Sequence, residues 1–275
     1  MDKNEHSIFA YVMDQLDENG IYQGGALIDD PTPSLPRPLG SDDAYIYTAE
    51  MPPDLPGAEA VCSMLLAYAD EPSATAKAVL EEALIKILCV SVCDPLVELL
   101  SEDEVPEPLL ALAEDWLYTA HKRELVKYAI VILAVFGLEK LRKEHSENLW
   151  DDLVDLCRCE EFTFFLTFAY RINNIAPQDE LWELVRSTRG WGRIFTLYDL
   201  ECTTEEEEIW LLRHGCEIEI DYAPICLVVM RKGQLLHHLH KEQLDYKTYR
   251  GCLTVTILET VIQLILISAV SILRL

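Results

Sequence analysis

Basic residues are scarce in this sequence. The 275 residues include 22 Lys and Arg against 48 Asp and Glu, which gives a formal net charge of −26 at pH 7. A negative field of that size repels phosphate backbones and anionic lipid headgroups, so we expect no nucleic-acid partner and no docking to an anionic membrane surface. The same charge favours a protein partner that carries a basic surface.

The short motifs that mark catalytic and metal sites are missing as well. The sequence has no C-x-x-C pair, no Gly-rich phosphate-binding loop, no G-x-S-x-G elbow and no H-E-x-x-H helix. We therefore predict no catalytic residues, no metal site and no cofactor. A non-catalytic protein is favoured over an enzyme.

Nine cysteines, an odd number, are spread along the chain. Most of them have apolar neighbours on predicted helices, where a free cysteine behaves as a small hydrophobic residue. The first twenty residues carry charges at positions where a signal peptide needs an apolar run. We expect the reducing cytoplasm to be the compartment.

The first 57 residues, here called the N-terminal arm, differ in composition from the rest. A helix is predicted from Glu5 to Asn19, and Gly20 ends it. Seven of the thirteen prolines follow between Gly20 and Gly57, so this stretch is predicted to be a loop, with at most a short extended piece at residues 45–47. Its apolar residues suggest that it packs over the body of the protein.

From Ala58 to the C-terminus the hydrophobic pattern predicts one helix after another, as a second domain over residues 58–275. Pro95 after Asp94 is interpreted as the start of a helix. Thr204-x-x-Glu207 has the form of a capping box. The predicted segments are 58–69, 74–90, 95–101, 107–119, 121–136, 147–158, 160–173, 178–188, 191–201, 204–214, 223–232, 241–249 and 252–273, with Gly137, Gly215 and Gly233 as helix ends.

A faint internal repeat runs through the second half of the chain. Tryptophan recurs at positions 150, 182 and 210, within similar stretches and each time ahead of another predicted helix. The spacing of 32 and 28 residues is typical of stacked units of two helices, because a single helical hairpin cannot bury its apolar face alone.

The segments 189–201 and 204–216 resemble a helix pair of bacterial HEAT-like repeat proteins. The resemblance covers about residues 58–275. It implies an all-α fold, a HEAT-like α-α superhelix built as a solenoid of antiparallel helix pairs, preceded by the helix and proline-rich loop of the arm. It also implies a habit of binding other macromolecules, and it transfers no catalytic residue. Some HEAT-like proteins handle DNA or bilin pigments, but the acidity of this chain counts against DNA.

Two groups of potential metal ligands have simpler interpretations. His237 and His240 could share a helix face, but no acidic or cysteine ligand lies at a recognisable spacing beside them. Cys89 and Cys93 are four residues apart, and burial in the core is the favoured interpretation.

Runs of acidic residues at helix connections are the best candidates for an interaction surface. The run around positions 98–107 is interpreted as a solvated turn or as a site for a basic partner, and the run at 205–208 as the first turn of a helix. The aromatic and basic residues of 191–193 complete the predicted surface, whose members are Glu98, Glu102, Asp103, Glu104, Glu107, Glu205, Glu206, Trp191 and Arg193.

Residues 253–273 carry a single formal charge, Glu259, and are long enough to span a bilayer. Their polar residues share about a third of the helical wheel, which favours a buried helix over a membrane span. A terminal helix this apolar needs a cover, and a homodimer through it would provide one.

The predicted function is a non-catalytic protein–protein interaction scaffold that uses an acidic solenoid surface. One alternative is a HEAT-like enzyme or pigment-handling protein whose pocket is covered by residues 20–57, with His214, Arg193 and Tyr198 as candidate polar groups. The other is a protein anchored in a membrane through residues 253–273.

Overall fold

A computed structural model describes residues 6–30, 37–101, 104–144, 148–241 and 245–255. These residues form α-helices joined by turns and loops, together with one isolated antiparallel β-bridge between Leu16 and Tyr22. The all-α prediction is confirmed for this part of the chain. The chain divides into two compact units, unit 1 from Met1 to Pro177 and unit 2 from Gln178 to Leu275.

Unit 1 contains the N-terminal arm and the first helices of the body. Its elements are α1 (Ile8–Met13), α2 (Ser41–Thr48), α3 (Leu55–Asp70), α4 (Ala74–Leu84), α5 (Cys89–Leu100), α6 (Glu107–Thr119), α7 (Arg123–Phe136), α8 (Leu138–Glu144), α9 (Leu149–Leu156) and α10 (Thr163–Ile172).

Helix α7 is the centre of unit 1. Every residue from Glu124 to Ala134 is buried, and the helix contacts α4, α5, α6, α8 and α10. A helix that is apolar on all sides must lie inside a protein. Gly137 ends it with a φ of 109°, a backbone conformation that favours glycine.

Unit 2 contains α11 (Gln178–Ser187), α12 (Gly190–Asp199), α13 (Glu205–His214), α14 (Ile225–Lys232) and α15 (Leu235–Leu239), and further helical residues 246–255, here called α16. Helices that follow one another contact each other in the pairs α11 with α12, α13 with α14, and α14 with α15.

Several predictions from the sequence are confirmed. The helix predicted over 107–119 has those bounds, and the segments predicted from 178 to 214 differ from α11, α12 and α13 by one or two residues. Thr204 and Glu207 form the capping box. The predicted ends at Gly137, Gly215 and Gly233 are observed as C-caps.

The predictions for the N-terminal arm need two corrections. The first helix covers only Ile8–Met13, because Leu16 turns back to pair with Tyr22 and leaves the helical path. Residues 45–47 are not extended but belong to α2, which starts after Gly40 and carries Asp42 and Asp43 in its first turn. No proline lies between Pro38 and Pro52, so nothing in that stretch prevents a helix.

The helix predicted over 74–90 ends at Leu84, and Pro95 does not start a helix. Pro95 lies inside α5, six residues after its start at Cys89. A proline has no N–H to donate to the carbonyl four residues earlier, that of Ser91. The Ser91 carbonyl accepts a hydrogen bond from Asp54 N instead, at 2.9 Å, so the missing helical bond becomes a contact with the residue before α3.

Other elements and boundaries also differ from the predictions. Helices α8 and α15 were not predicted, and α9 ends at Leu156 rather than at residue 158. The break predicted between 249 and 252 does not exist, because α16 continues through Gly251. A Cβ atom at Gly251 would lie 2.2 Å from the carbonyl oxygen of Leu212, so glycine is needed here for close helix packing rather than for a turn.

The apolar stretch 253–273 lies almost entirely outside the described residues, and with it the predictions of a buried terminal helix, a membrane anchor and a homodimer contact. Of the helices that the structure does describe, none has both the length and the apolar character that a bilayer crossing requires.

Candidate functional site: a buried charge cluster and an acidic surface

A cluster of charged side chains lies inside unit 1. Its centre is Lys127 on α7, whose side chain is 2% exposed. Lys127 Nζ lies 2.7 Å from Asp43 Oδ2, 3.0 Å from Glu124 Oε1 and 2.8 Å from Glu161 Oε1. The ammonium group also lies 5.6 Å from the centre of the Phe165 ring. A buried ammonium group is tolerated only when anions and hydrogen bonds surround it, and this arrangement meets that condition.

Arg123, one turn before Lys127, is the second cation of the cluster. Its guanidinium group binds Asp29 through Nε at 3.1 Å and Nη2 at 2.8 Å, and it also contacts Asp30. Arg123 Nη1 lies 3.3 Å from Glu161 Oε1, so Glu161 joins the two cations. The aspartates belong to the N-terminal arm, and the cluster therefore fixes the arm to α7.

Two carboxylates of the cluster also bind backbone amides. The Gly40 N–H donates to Glu161 Oε2 at 2.9 Å, immediately before α2. The Cys89 N–H donates to Glu124 Oε2 at 2.7 Å, so Glu124 caps the first turn of α5, which has no local side-chain cap. The two bonds set the starts of α2 and α5 against α7.

Burial and neighbouring charges shift the pKa values within the cluster. Burial raises the pKa of Asp43 to about 7, with help from the nearby Glu161 and Glu124 and in spite of Lys127. For Glu161 burial acts in the same direction, but Lys127 and Arg123 outweigh it, and its pKa lies below the ordinary value. The pKa of Lys127 is well above its ordinary value because the three carboxylates outweigh the effect of burial. Lys127 is therefore protonated and is no amine nucleophile.

Asp43 is the least satisfied member of the cluster. It is 1% exposed, and its Oδ1 atom accepts no hydrogen bond from any residue that the structure describes. A buried carboxylate with an unused acceptor costs free energy when ionised. This geometry and the raised pKa agree that Asp43 is the group that takes up a proton most readily.

The cysteines near the cluster are not activated. Burial raises the pKa of Cys89, of Cys93 and of Cys159. A thiol must ionise to act as a nucleophile or as a metal ligand. The core interpretation of Cys89 and Cys93 agrees with this environment.

Sequence reasoning missed the buried cluster. One signal was present, because Lys127 is the only charged residue between Leu125 and Phe136, and a lysine in so apolar a run needs partners. Glu124 lies three residues before Lys127, an ordinary helical spacing. The other partners, Asp43 and Glu161, come from distant positions that no local pattern connects.

The acidic charge is concentrated in unit 1. Residues 1–177 include 33 acidic and 12 basic residues, a formal net charge of −21, whereas residues 178–275 carry −5. Of the predicted surface residues in unit 1, the structure places Glu98 at the end of α5 and Glu104 and Glu107 around the start of α6, all exposed. Glu102 and Asp103 lie outside the described residues.

The remaining predicted surface residues belong to unit 2. Glu205 and Glu206 are exposed in the first turn of α13, and Glu205 pairs with Lys241 at 2.6 Å. The capping box that follows them supports the helix-start interpretation of this run.

Trp191, Arg193, Tyr198 and His214 come together around the loop between α13 and α14, although they are distant in sequence. Arg193 Nη1 donates to the Glu217 carbonyl and His214 Nδ1 lies 2.9 Å from the Glu217 carboxylate.

In the same region, Tyr198 and Tyr222 share a hydrogen bond of 3.1 Å, and the Trp191 ring lies 5.0 Å from that of Tyr222. Glu217 and Tyr222 contact these residues, and no sequence pattern indicates either of them. The polar atoms named here bind one another in two sets, one around Glu217 and one around Tyr222, so these residues have structural roles in unit 2.

The histidines of α15 point to different partners. His238 is fully buried, and its Nε2 lies 2.8 Å from Glu208 Oε2. His240 is the C-cap of the helix, and its Nδ1 lies 2.6 Å from the Leu236 carbonyl. Within the described ranges, no three His, Cys, Asp or Glu side chains come together as a metal-binding group.

Comparison of the chain with protein-family models, with curated proteins and with solved structures gave no match.

Proposed function

We propose that this protein is a non-catalytic scaffold that binds a basic protein partner through the acidic surface of unit 1. The observation that carries the proposal is the distribution of charge, with a formal net charge of −21 on residues 1–177. Charge of one sign on one unit raises the association rate of an oppositely charged partner and makes binding depend on ionic strength.

The state of the reactive side chains supports a binding role. Lys127 and Arg123 are held by carboxylates, and burial raises the pKa values of Cys89 and Cys159. Groups poised for acid–base or nucleophilic chemistry have pKa values near neutrality and access to a substrate. Asp43 has such a pKa, but it is enclosed by α7 and its neighbours.

A HEAT-like superhelix is part of the proposal. Its support is that consecutive helices contact each other in pairs, α6 with α7 in unit 1, and α11 with α12 and α13 with α14 in unit 2. Stacked helix pairs of this kind offer broad surfaces to macromolecular partners. The reducing cytoplasm is the proposed compartment, since most of the nine cysteines are buried in the helical core, where they act as small hydrophobic residues.

The test is affinity purification of the full chain at low and at high salt, followed by mass spectrometry. The informative variant reverses three exposed charges, Glu98→Lys, Glu104→Lys and Glu107→Lys. A matched control reverses three exposed charges elsewhere in unit 1, Glu59→Lys, Asp70→Lys and Glu71→Lys, and thus makes the same change in net charge.

We expect basic proteins to be retained by the wild type and by the control at low salt, and to be lost at high salt and with the informative variant. Retention of the same proteins at both salt concentrations by all three forms would contradict an acidic binding surface. Equal losses with both variants would show that net charge acts without a defined surface.

A further inference from the structure

Unit 1 exposes a patch of large apolar side chains where the N-terminal arm joins α3. Every residue from 47 to 56 is exposed. Tyr45 is 70% exposed, Met51 51% and Leu55 56%, with Tyr47 at 39% and Leu88 at 42%. We call these five residues the α2–α3 patch. Four of the five lie within residues 45–55, and the hydrogen bond from Asp54 N to the Ser91 carbonyl brings the segment that follows Leu88 next to them. Large apolar side chains grouped in this way and rimmed by polar residues are typical of an interaction site, whereas scattered ones are ordinary.

Contacts with α5, α10 and α7 hold the patch in place on its inner side. The Asp54 N–H donates to the Ser91 carbonyl that Pro95 leaves unused, which keeps the patch against the first turns of α5. The Tyr47 ring packs 4.9 Å from that of Phe164, and Arg171 donates to the Tyr47 hydroxyl at 2.5 Å. Asp43 on the inner side of α2 is bound to Lys127. A surface that is already ordered loses little conformational freedom when a partner binds.

Carboxylates surround the patch. Exposed acidic residues lie on α2, on the segment that joins it to α3, and on the outer face of α5, namely Asp42, Glu50, Asp54, Asp94 and Glu98. Two arginines lie among them, Arg37 paired with Asp42 and Arg171 beside Asp94. The rim therefore has an excess of negative charge around an apolar centre that contains two tyrosines and a methionine, residue types that are enriched in interfaces.

We infer that the α2–α3 patch binds a basic amphipathic helix of a partner protein, with its apolar face on Tyr45, Met51 and Leu55 and its lysines or arginines against the acidic rim. The inference rests on the proposed function and names the surface and the chemistry of the partner. Charge complementarity selects this occupant. A second copy of the chain also carries a formal net charge of −26 and would be repelled. An anionic lipid surface would be repelled for the same reason.

The test uses the full chain and a synthetic amphipathic helix that carries lysines on one face and leucines on the other. A peptide of the same composition in scrambled order reports binding by charge alone. The informative variant is Tyr45→Ser with Met51→Ser. The matched control is Leu66→Ser with Val79→Ser, which removes two apolar side chains that are also exposed, on α3 and α4.

We expect the wild type and the control to bind the amphipathic peptide more tightly than the scrambled one, and the informative variant to bind it about tenfold more weakly, as for central interface residues. Circular dichroism confirms that each variant is folded. Equal affinity of wild type and informative variant would overturn the inference, as would a wild-type dimer that the variant abolishes.

The outcomes also separate the inference from the proposed function. If the wild type binds both peptides equally and loses both at high salt, the acidic surface stands and the patch does not. If the wild type binds neither peptide at low salt, the proposed function fails together with the inference.

Discussion

Different interactions connect the helices within each of the two units. Unit 1 places charged side chains inside the protein, where Lys127 and Arg123 connect α7 to the N-terminal arm and to α5 through carboxylates. In unit 2, glycines allow α13 to pack closely against neighbouring segments. Leu212 on α13 meets both Gly233 and Gly251, where an added Cβ would come within 2.9 Å and 2.2 Å of it.

This difference shows how charge is used in an acidic protein. A buried ion pair adds little net stability, because desolvation offsets the attraction, but the loss of one partner is costly. The cluster of unit 1 therefore determines where the N-terminal arm binds on α7, and it contributes less to the net stability of the core. In unit 2, the contacts at Gly233 and Gly251 act by close packing at short range.

The largest effect is expected from Lys127→Met in unit 1. The substitution keeps most of the side-chain volume but leaves buried carboxylates without their cation, which costs about 3–5 kcal/mol in the free energy of unfolding. Urea unfolding followed by circular dichroism measures it. The control is Lys86→Met, which removes an exposed lysine paired with Glu82 and should change stability little. Equal effects of the two substitutions would contradict the account of the cluster.

The corresponding test of unit 2 is Gly251→Ala. The new methyl group would overlap with the backbone of Leu212, and the strain should lower the free energy of unfolding by about 1–3 kcal/mol. Gly25→Ala is the control, since nothing lies within 4 Å of a Cβ at that position. A stabilised Gly251→Ala variant would show that α16 does not pack closely on α13.

The third prediction concerns the pH dependence of stability that Asp43 causes in unit 1. Asp43 has a pKa of about 7 in the folded protein and an ordinary value of 3.8. Between those values the folded state binds more protons than the unfolded state, so the contribution of Asp43 to stability falls as pH rises. The slope for one proton is at most about 1.4 kcal/mol per pH unit.

Asn cannot titrate, so the stability of the wild type relative to Asp43→Asn should fall between about pH 5 and about pH 7. Urea unfolding of both proteins at the two pH values measures the difference. A constant difference would show that Asp43 is ionised throughout this range and that its burial has no thermodynamic consequence.

A smaller effect is expected at the start of α13 in unit 2. Thr204→Ala removes the hydroxyl that accepts the Glu207 N–H and should cost about 1 kcal/mol. Thr204→Ser keeps the hydroxyl and serves as the control. Thermal unfolding is sufficient for the comparison, and a loss of the same size with serine would indicate that packing of the threonine methyl group matters more than the cap.

Local signals predicted the parts of the fold that depend on local interactions. Thr204 and Glu207 are three residues apart and recognise each other's backbone, so the capping box was visible in the sequence. Glu124 caps α5 from a position 35 residues further along the chain, and no pattern around Cys89 reveals it. The misplaced start of α5 and the misinterpretation of Pro95 have this common cause.

The candidate site was predictable only in part, for the same reason. The acidic run at 98–107 and the negative charge follow from composition. The α2–α3 patch does not follow from composition, because Tyr45 and Met51 lie in a stretch that is predicted to be a proline-rich loop. Their exposure depends on the contacts of Asp43 with α7 and of Asp54 with α5. Long-range contacts determine which apolar residues remain at the surface.

Hydrogen exchange of the Lys127→Met variant, followed by mass spectrometry, shows whether the buried cluster fixes the N-terminal arm. We expect the amides of α2 and of the first turn of α5, together with Gly40 and Cys89, to exchange faster than in the wild type under native conditions, because Glu161 and Glu124 lose the Lys127 ammonium group. Wild-type protection of these amides in a folded variant would contradict the claim that the buried cluster fixes the N-terminal arm.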